Sequence, residues 1–419
     1  MKILMLSTGE RDGAGRAACR LHEGLGQMGL DAQISIQQKQ SNDPRITGPQ
    51  TALDKTIAKL NLSYRLDSLP LNLYHRPNRA PFSLQWLPSS TLQRTISFDP
   101  DIINLQWICQ GYVSIEAIGK IKQPLVLTLH DMWAFTGGCH YNQTCDRYQV
   151  ACGACPQLNS DRESDLSRWV WQRKAKALQQ TNPTVVVLSK WMAKCAESSS
   201  LLKHHRVELI PNGLNLTKYK PIDKLLARQI LNLPLDKQLI LFGATLGTID
   251  PRKGFQLLEP ALKKLSSSGW TDRLEAVIFG PALLDAEICG FKYHALGTLT
   301  DDISIAILYA AADVLVAPSI QDNLPNVVLE ALACGTPCVA FDVGGLPDLI
   351  EHQKNGYLAQ PFDIEDLATG IAWVLDNPSR HQNLRNYARE KAEREFSIEL
   401  QAKRYATLFS ELVSAPKQI

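Results

Sequence analysis

No stretch of this 419-residue chain approaches the roughly 18 consecutive apolar residues of a membrane-spanning helix, and apolar runs such as Val185–Leu188 fall far short of it. An excess of charge is also missing. Forty-four Lys and Arg against 42 Asp and Glu leave a formal +2, which gives no electrostatic reason to expect nucleic acid as a partner. With 25 Gly and 23 Pro, the chain stays far below the proportions of collagen-like or low-complexity sequence. No repeat of 20 to 50 residues is visible, so solenoids and propellers are excluded. The start, Met1–Leu6, has one positive charge, an apolar run too short for a signal peptide and no small-residue cleavage site. It is expected to be a buried first strand of a cytoplasmic protein. Ten cysteines are too sparse for a secreted disulfide scaffold, yet Cys139, Cys145, Cys152 and Cys155 fall within 17 residues.

What is present is ordinary globular composition, 45% hydrophobic and 21% charged, at a length that predicts two or three domains. Short β-rich runs alternate with amphipathic stretches, the pattern of an α/β chain with parallel sheets. In the first half the pattern predicts strands at Lys2–Leu6, Ala32–Ile36, Ile102–Leu105, Pro124–Leu129, Val185–Leu188 and Val207–Ile210. A second series follows at Leu239–Phe242, Leu274–Phe279, Val314–Ala317, Pro337–Phe341 and Gly356–Ala359, with helices such as Val327–Ala333 and Ile364–Leu375. Two successive series predict two doubly wound domains, with the seam in the Pro- and Gly-containing stretch 211–234. The divisions expected are 1–216, 217–397 and a terminal helix 398–419. The segment 59–90, rich in Pro, Asn, Ser and Tyr, breaks the alternation and reads as an insertion.

Three constellations carry chemistry. Gly13, Gly15 and Ala18 lie between the first strand and first helix in a G-x-G-x-x-A spacing, with Arg16 among them. Glycines there let backbone N–H groups approach a phosphate or sugar. The motif lies some way beyond the strand end, and the second strand leads into Gln37-Gln38 rather than a ribose-binding acid, which argues against a dinucleotide; a plain βα turn is the alternative. Arg252-Lys253-Gly254 suits a diphosphate, with Lys as a point charge and Arg as a planar fork, although a charged pair in a loop is commonly solvated surface. Asp322 and Glu330, eight residues apart, place one carboxylate in a loop after a strand and the other in the helix that follows. Both fit sugar hydroxyls at the carboxyl end of a parallel sheet.

The stretch Asp322–Pro337 resembles the E-x7-E signature of retaining glycosyltransferases of family 4, with Asp in the first place. Phe98–Ile103, Thr128–Asp131, Leu188–Trp191, Ile210–Asn215, Arg252–Gly254, Ala312–Val314 and Gly344-Gly345 fall in that family's order, so the resemblance covers nearly the whole chain. The run His130–Tyr141, with Gln321–Asn326, is most similar to the exopolysaccharide and colanic-acid-type members. The position where many members have Gly-Arg holds Gly243-Ala244 here, which leaves Arg252 to substitute for a missing phosphate cation.

The resemblance implies the GT-B fold, two Rossmann-like domains with the active site in the cleft between them, and a terminal helix that returns to the first domain. It implies a retaining hexosyltransferase that uses a nucleoside-diphosphate sugar, UDP or GDP, and needs no metal or other cofactor for catalysis. The implied acceptor is a glycan or a polyprenyl-diphosphate-linked oligosaccharide. Glu330 would hold the ribose, Asp322 the sugar hydroxyls, Lys253 with Arg252 the leaving diphosphate, and His130 would face the sugar near the reacting carbon. The loop Asn323, Leu324, Pro325 and Asn326 would bind sugar and phosphate, and Gly13, Gly15 and Arg16 would approach the donor. A sugar-nucleotide epimerase of the same fold and a non-catalytic sugar-binding protein remain alternatives; a phosphorylase would need a pyridoxal-type lysine site, and none is visible.

Two further expectations concern stability and place. Cys139, Cys145, Cys152 and Cys155 end in C-x-x-C and are candidate ligands of a structural zinc, with reduced thiols or disulfides as alternatives. The stretch Arg168–Lys176 alternates cations and tryptophans at helical spacing, which suits peripheral contact with an anionic membrane at the inner face of the cell membrane or an ordinary amphipathic helix.

Overall fold

Runs of β-branched and aliphatic residues form the strands, and the polar segments between them turn into helices. The computed structural model describes every residue except 77–79, 89–97, 244–249, 281–286 and 416–419. It divides into two units, Met1–Pro211 with Gln401–Ile419, and Asn212–Leu400.

The first unit holds strands β1 (Lys2–Gly9), β2 (Asp31–Gln38), β3 (Ile46–Thr47), β4 (Ile102–Leu105), β5 (Leu125–Leu129), β6 (Thr184–Val187) and β7 (Val207–Leu209). They pair in parallel in the order 3-2-1-4-5-6-7. The order reverses between β1 and β4, and the crevice beyond the carboxyl ends at such a point is where open α/β sheets bind ligands. Both faces of this sheet are covered. Ile3, Met5, Ile34, Ile102, Val126 and Val186 pack with Ala402, Tyr405, Leu408 and Phe409, so the end of helix Ile398–Ser414 belongs to this core. Leu4, Leu6, Ile103, Leu105, Leu127 and Val185 pack on the other side.

The second unit repeats the plan with β8 (Gln238–Gly243), β9 (Leu274–Phe279), β10 (Glu287–Ile288), β11 (Phe291–Ala295), β12 (Val314–Ala317), β13 (Cys338–Phe341) and β14 (Gly356–Ala359). Their order is 10-11-9-8-12-13-14, parallel except for the β10–β11 hairpin. The switch point lies between β8 and β12. Both units are therefore Rossmann-like.

The anticipated strands are found with their ends moved by up to three residues. Three short ones, β3, β10 and β11, were not anticipated. Within 59–90 the described residues include helix α3 (Leu62–Asp67) and a 3-10 segment, Leu69–Leu73; residues 77–79 and 89–90 of that stretch lie outside the described set. Ala244, the position that departs from the family's Gly-Arg, lies outside it too.

Candidate functional site

In the second unit, the turn Pro251–Lys253 follows β8 and docks on the loop after β12. Gly254 adopts φ +77°, and a Cβ there would stand 1.8 Å from the carbonyl oxygen of Pro318. The Ile320 N–H donates to the Arg252 carbonyl at 2.8 Å. The opposite side of the loop is fixed by Gly344 at φ +59°, where a Cβ would lie 2.2 Å from the Asp322 carbonyl oxygen, and by the Gly345 N–H donating to that oxygen at 3.0 Å. Two glycines thus let three backbone segments meet where side chains would not fit.

This clamp brings Lys253 Nζ to 2.6 Å from Asp322 Oδ2, with Arg252 Nη1 at 4.0 Å. Asp322 Oδ1 accepts from the Asn323 N–H at 3.1 Å. Asp322 is 6% exposed. Burial raises its pKa, but Lys253 and Arg252, with the hydrogen bonds from Lys253 and Asn323, outweigh that and hold it below the usual carboxylate value. Arg252 also bonds Asp250 Oδ2 at 2.8 Å and the Gln321 carbonyl at 3.2 Å. The cations expected at a diphosphate and the acid expected at a sugar therefore form one ion pair. Asp322 holds Lys253 in place.

Leu324 is buried, Pro325 occupies the N-cap position of helix Asn326–Ala333, and Asn326 Oδ1 accepts from Asn212 Nδ2 at 3.2 Å. Glu330 lies in the second turn of that helix, 3% exposed, and its Oε2 accepts from the Tyr309 hydroxyl at 3.1 Å. Tyr309 was not foreseen, because nothing in the run Ile305–Ala312 marks its one hydroxyl as facing a carboxylate. The loops after β8 and β9, residues 244–249 and 281–286, lie outside the described residues.

In the first unit, the glycine-rich turn is packed and capped. A Cβ on Gly15 would stand 2.3 Å from the Gly9 carbonyl oxygen, so helix α1 (Gly13–Gln27) can abut the end of β1 only through a glycine. Asp12 caps this helix, accepting from the Gly15 N–H at 2.8 Å, and the Arg16 N–H bonds the Asp12 carbonyl at 2.9 Å. A carboxylate already sits where a phosphate would use the N-terminal partial charge. The Gly15 N–H is thereby occupied by Asp12.

His130 follows β5 at the carboxyl edge of the sheet. Its Nε2 lies 2.8 Å from Gln106 Oε1, at the end of β4. Desolvation lowers its pKa to about 4, despite a small opposing pull from Asp131, so the ring is neutral near pH 7. Asp131 turns elsewhere. Its carboxylate accepts from His140 Nδ1 at 2.6 Å, Trp107 Nε1 at 2.7 Å and the Trp133 N–H at 2.8 Å. His140 Nε2 lies 2.9 Å from Ser83 Oγ, which gives Ser83, His140 and Asp131 the connectivity of a nucleophilic triad. Ser83 is 2% and His140 3% exposed, so no substrate reaches the hydroxyl and the chain serves to brace the loop after His130.

Two further expectations concern the cysteine cluster and the tryptophan-rich stretch. Cys139, Cys145, Cys152 and Cys155 line a common small pocket, but among the described residues no group of three or more His, Cys, Asp or Glu is placed to hold a metal. None of the four is in a disulfide. Burial raises the thiol pKa values of Cys139, Cys152 and Cys155, that of Cys152 to about 12. The tryptophan-rich stretch belongs to helix Leu166–Thr181, and three of its four cations are engaged within the unit, while Lys176 and Trp169 are exposed. Arg173 bonds Glu116 and the carbonyls of Leu84 and Gln85, Lys174 is 3% exposed against the carbonyls of Trp133 and Thr136, and Arg168 pairs with Glu163.

Comparison with known proteins matches both halves. Residues 11–218 match the family model described as Glycosyltransferase Family 4, and residues 223–391 match Glycosyl transferases group 1. A D-inositol 3-phosphate glycosyltransferase of Catenulispora acidiphila is 33% identical over 203 residues, 45% of this chain and 47% of that protein. The chain thus spans about half the length of the curated relatives of this kind that it matches. Among solved structures, a sucrose-phosphate synthase from Thermosynechococcus elongatus superposes with a TM-score of 0.72 at 21% identity, over 99% of this chain and 100% of that one. HepE from Anabaena, in complex with UDP-glucose, gives 0.63 at 19% identity over 98% and 100%. At these identities the structures establish the GT-B fold and no more.

Proposed function

From the premise that the chain belongs to family 4 of the GT-B glycosyltransferases, we propose that it is a retaining hexosyltransferase acting on a nucleoside-diphosphate sugar. The observation that carries this reading is the ion pair of buried Asp322 with partly exposed Lys253, backed by Arg252 and clamped by Gly254 and Gly344 at the switch point of the second sheet. Departure of a nucleoside diphosphate develops negative charge, which a preorganised cation stabilises without reorganisation. Lys253 supplies that charge with Arg252 beside it, Glu330 holds the ribose, and His130 meets a hydroxyl of the donor sugar. The bond from C1 to the diphosphate breaks as the bond from C1 to the acceptor oxygen forms on the same face. The acceptor proton passes to a diphosphate oxygen, so the step balances with no protein nucleophile and no metal.

UDP is the first donor base to test, because HepE is a fold neighbour bound to UDP-glucose; GDP is the second. The acceptor in this proposal is a glycan or polyprenyl-diphosphate-linked oligosaccharide of an exopolysaccharide or other cell-surface polysaccharide, reached by peripheral contact with the inner face of the cell membrane. The surface that supports such contact is 52–73. Helix α2 (Ala52–Lys59) buries none of its residues. Leu53 is 69% exposed and Leu73 85%, with Leu60, Leu62, Tyr64, Leu66 and Leu69 exposed between them. Lys55, Lys59 and Arg65 are interleaved with these side chains, the composition of a surface that seats on anionic lipid.

The test is nucleotide release from UDP- and GDP-sugars by the wild type, Lys253→Ala and Asp322→Ala, with EDTA present and absent and the product anomer read by NMR. Release by the wild type alone, unaffected by EDTA and with the donor's anomeric configuration kept, supports the proposal. Equal background release from all three proteins sinks it in favour of a sugar-binding role, and inversion sinks the retaining step.

A further inference from the structure

Behind His130 lies a buried polar chain whose direction can be worked out from a group that cannot turn over. The main-chain carbonyl of Val126 is an acceptor only. Asn104 Nδ2 donates to it at 3.3 Å and to Thr128 Oγ1 at 3.0 Å, so the Asn104 amide is oriented with Oδ1 toward Gln106. Gln106 Nε2 donates to that oxygen and lies 3.4 Å from Thr128 Oγ1. Gln106 must therefore present Oε1 to His130, and the short contact at 2.8 Å requires a proton on His130 Nε2. The far end of the chain is Tyr405, from helix Ile398–Ser414, whose hydroxyl lies 3.0 Å from Thr128 Oγ1. Asn104 and Tyr405 are fully buried, and Thr128 and Gln106 nearly so. Such a network is rigid only if each member is satisfied.

We propose that Gln106 is a positioning residue, oriented by Asn104 and Thr128 and backed by Tyr405, that fixes His130 as the Nε2–H tautomer and so makes Nδ1 its acceptor nitrogen. This rests on the proposed contact of His130 with a donor-sugar hydroxyl, for which it supplies the polarity: the hydroxyl donates and the imidazole accepts. Other titratable groups near the ring do not supply that orientation. Asp131 is committed to His140, Trp107 and Trp133, and Lys174 and Cys109, which line the same pocket, are respectively bonded to main-chain carbonyls and, as a thiol raised by burial, uncharged. The terminal helix would then contribute to the site through one hydroxyl.

The experiment is NMR of histidine-labelled full-length protein, with His130 assigned by its loss in His130→Asn. The wild type is expected to show His130 as a single neutral Nε2–H species down to about pH 5, with a slowly exchanging Nε2 proton. In Gln106→Glu the acceptor oxygen stays but carries charge, so the midpoint of His130 should rise by at least one pH unit. In Gln106→Leu the acceptor is gone, and exchange of the Nε2 proton should quicken at least tenfold, while kcat for donor turnover falls and KM stays within about twofold. Tyr405→Phe should quicken exchange less. A proton on Nδ1 in the wild type, or an unmoved midpoint in Gln106→Glu, overturns the proposal. These readouts need no turnover, so a protein with the expected spectra that consumes no donor would refute the glycosyl-transfer reading while leaving the positioning role intact.

Discussion

Replacing Lys253 by Met tests whether Asp322 depends on its cation. At 2.6 Å and an effective dielectric constant of about 20, the pair's attraction is of order 5 kcal/mol, offset by the desolvation of both groups. Removing only the lysine leaves a buried carboxylate with Arg252 at 4.0 Å and the Asn323 N–H as its remaining partners, at a cost of about 3–5 kcal/mol. The reverse change is cheaper, because Lys253 retains 22% of its side-chain exposure and can rehydrate. Asp322→Asn should therefore cost about 1 kcal/mol. For a unit the size of Asn212–Leu400, Lys253→Met should lower the melting temperature by about 6–20 °C and Asp322→Asn by about 2–4 °C.

The sign with pH is fixed. The folded-state pKa of Asp322 lies below its unfolded value, so its contribution is fully present above about pH 4 and is lost as pH falls through the lowered value. In Lys253→Met the carboxylate can protonate instead, so the gap between variant and wild type should narrow in acid. Calorimetry of the full chain from pH 8 to about pH 3 measures both effects. Equal melting of the two variants, or a gap independent of pH, would refute the reasoning. Lys253→Arg should recover most of the stability but not donor turnover, because a planar fork does not reproduce a point charge at the diphosphate.

Gly254→Ala should destabilise the second unit by at least about 3 kcal/mol in denaturant unfolding, since positive φ and the approach to Pro318 both oppose a Cβ. Leu60→Ser with Leu73→Ser should reduce sedimentation with vesicles containing anionic phosphatidylglycerol while leaving melting unchanged; binding that persists would remove the 52–73 face from the proposal. Treating the folded protein with a zinc chelator should leave its melting temperature unchanged, and a thiol reagent should react with Cys139 and Cys152 only after unfolding. A chelator-dependent drop would restore the metal reading.

The two sheet series, their seam and the residues at the carboxyl ends of the strands were legible because they rest on local pattern. Apolar runs of strand length mark buried parallel strands, and Gly254 and Gly344-Gly345 announce backbone approach. Strand β11, between the edge strand β10 and β9, was not legible, since Phe291–Ala295 buries little beyond Phe291 and its sequence resembles a loop. Nor was the polar chain, although Asn104 and Thr128 are polar residues within strands buried on both faces, a signal that is readable in principle.

The sequence alone thus determined the fold class and the family and nominated the residues proposed to meet a diphosphate sugar, because each depends on composition and spacing over a few residues. Tertiary structure decided what those residues do to one another. It joined Lys253 to Asp322 across 69 positions, capped the glycine turn with Asp12, turned Asp131 away from His130, tied Arg173 and Lys174 of helix Leu166–Thr181 to main-chain carbonyls, and brought Tyr405 to Thr128 from 277 residues away. Such pairings depend on which strand edges meet and on burial, and neither is written in local spacing.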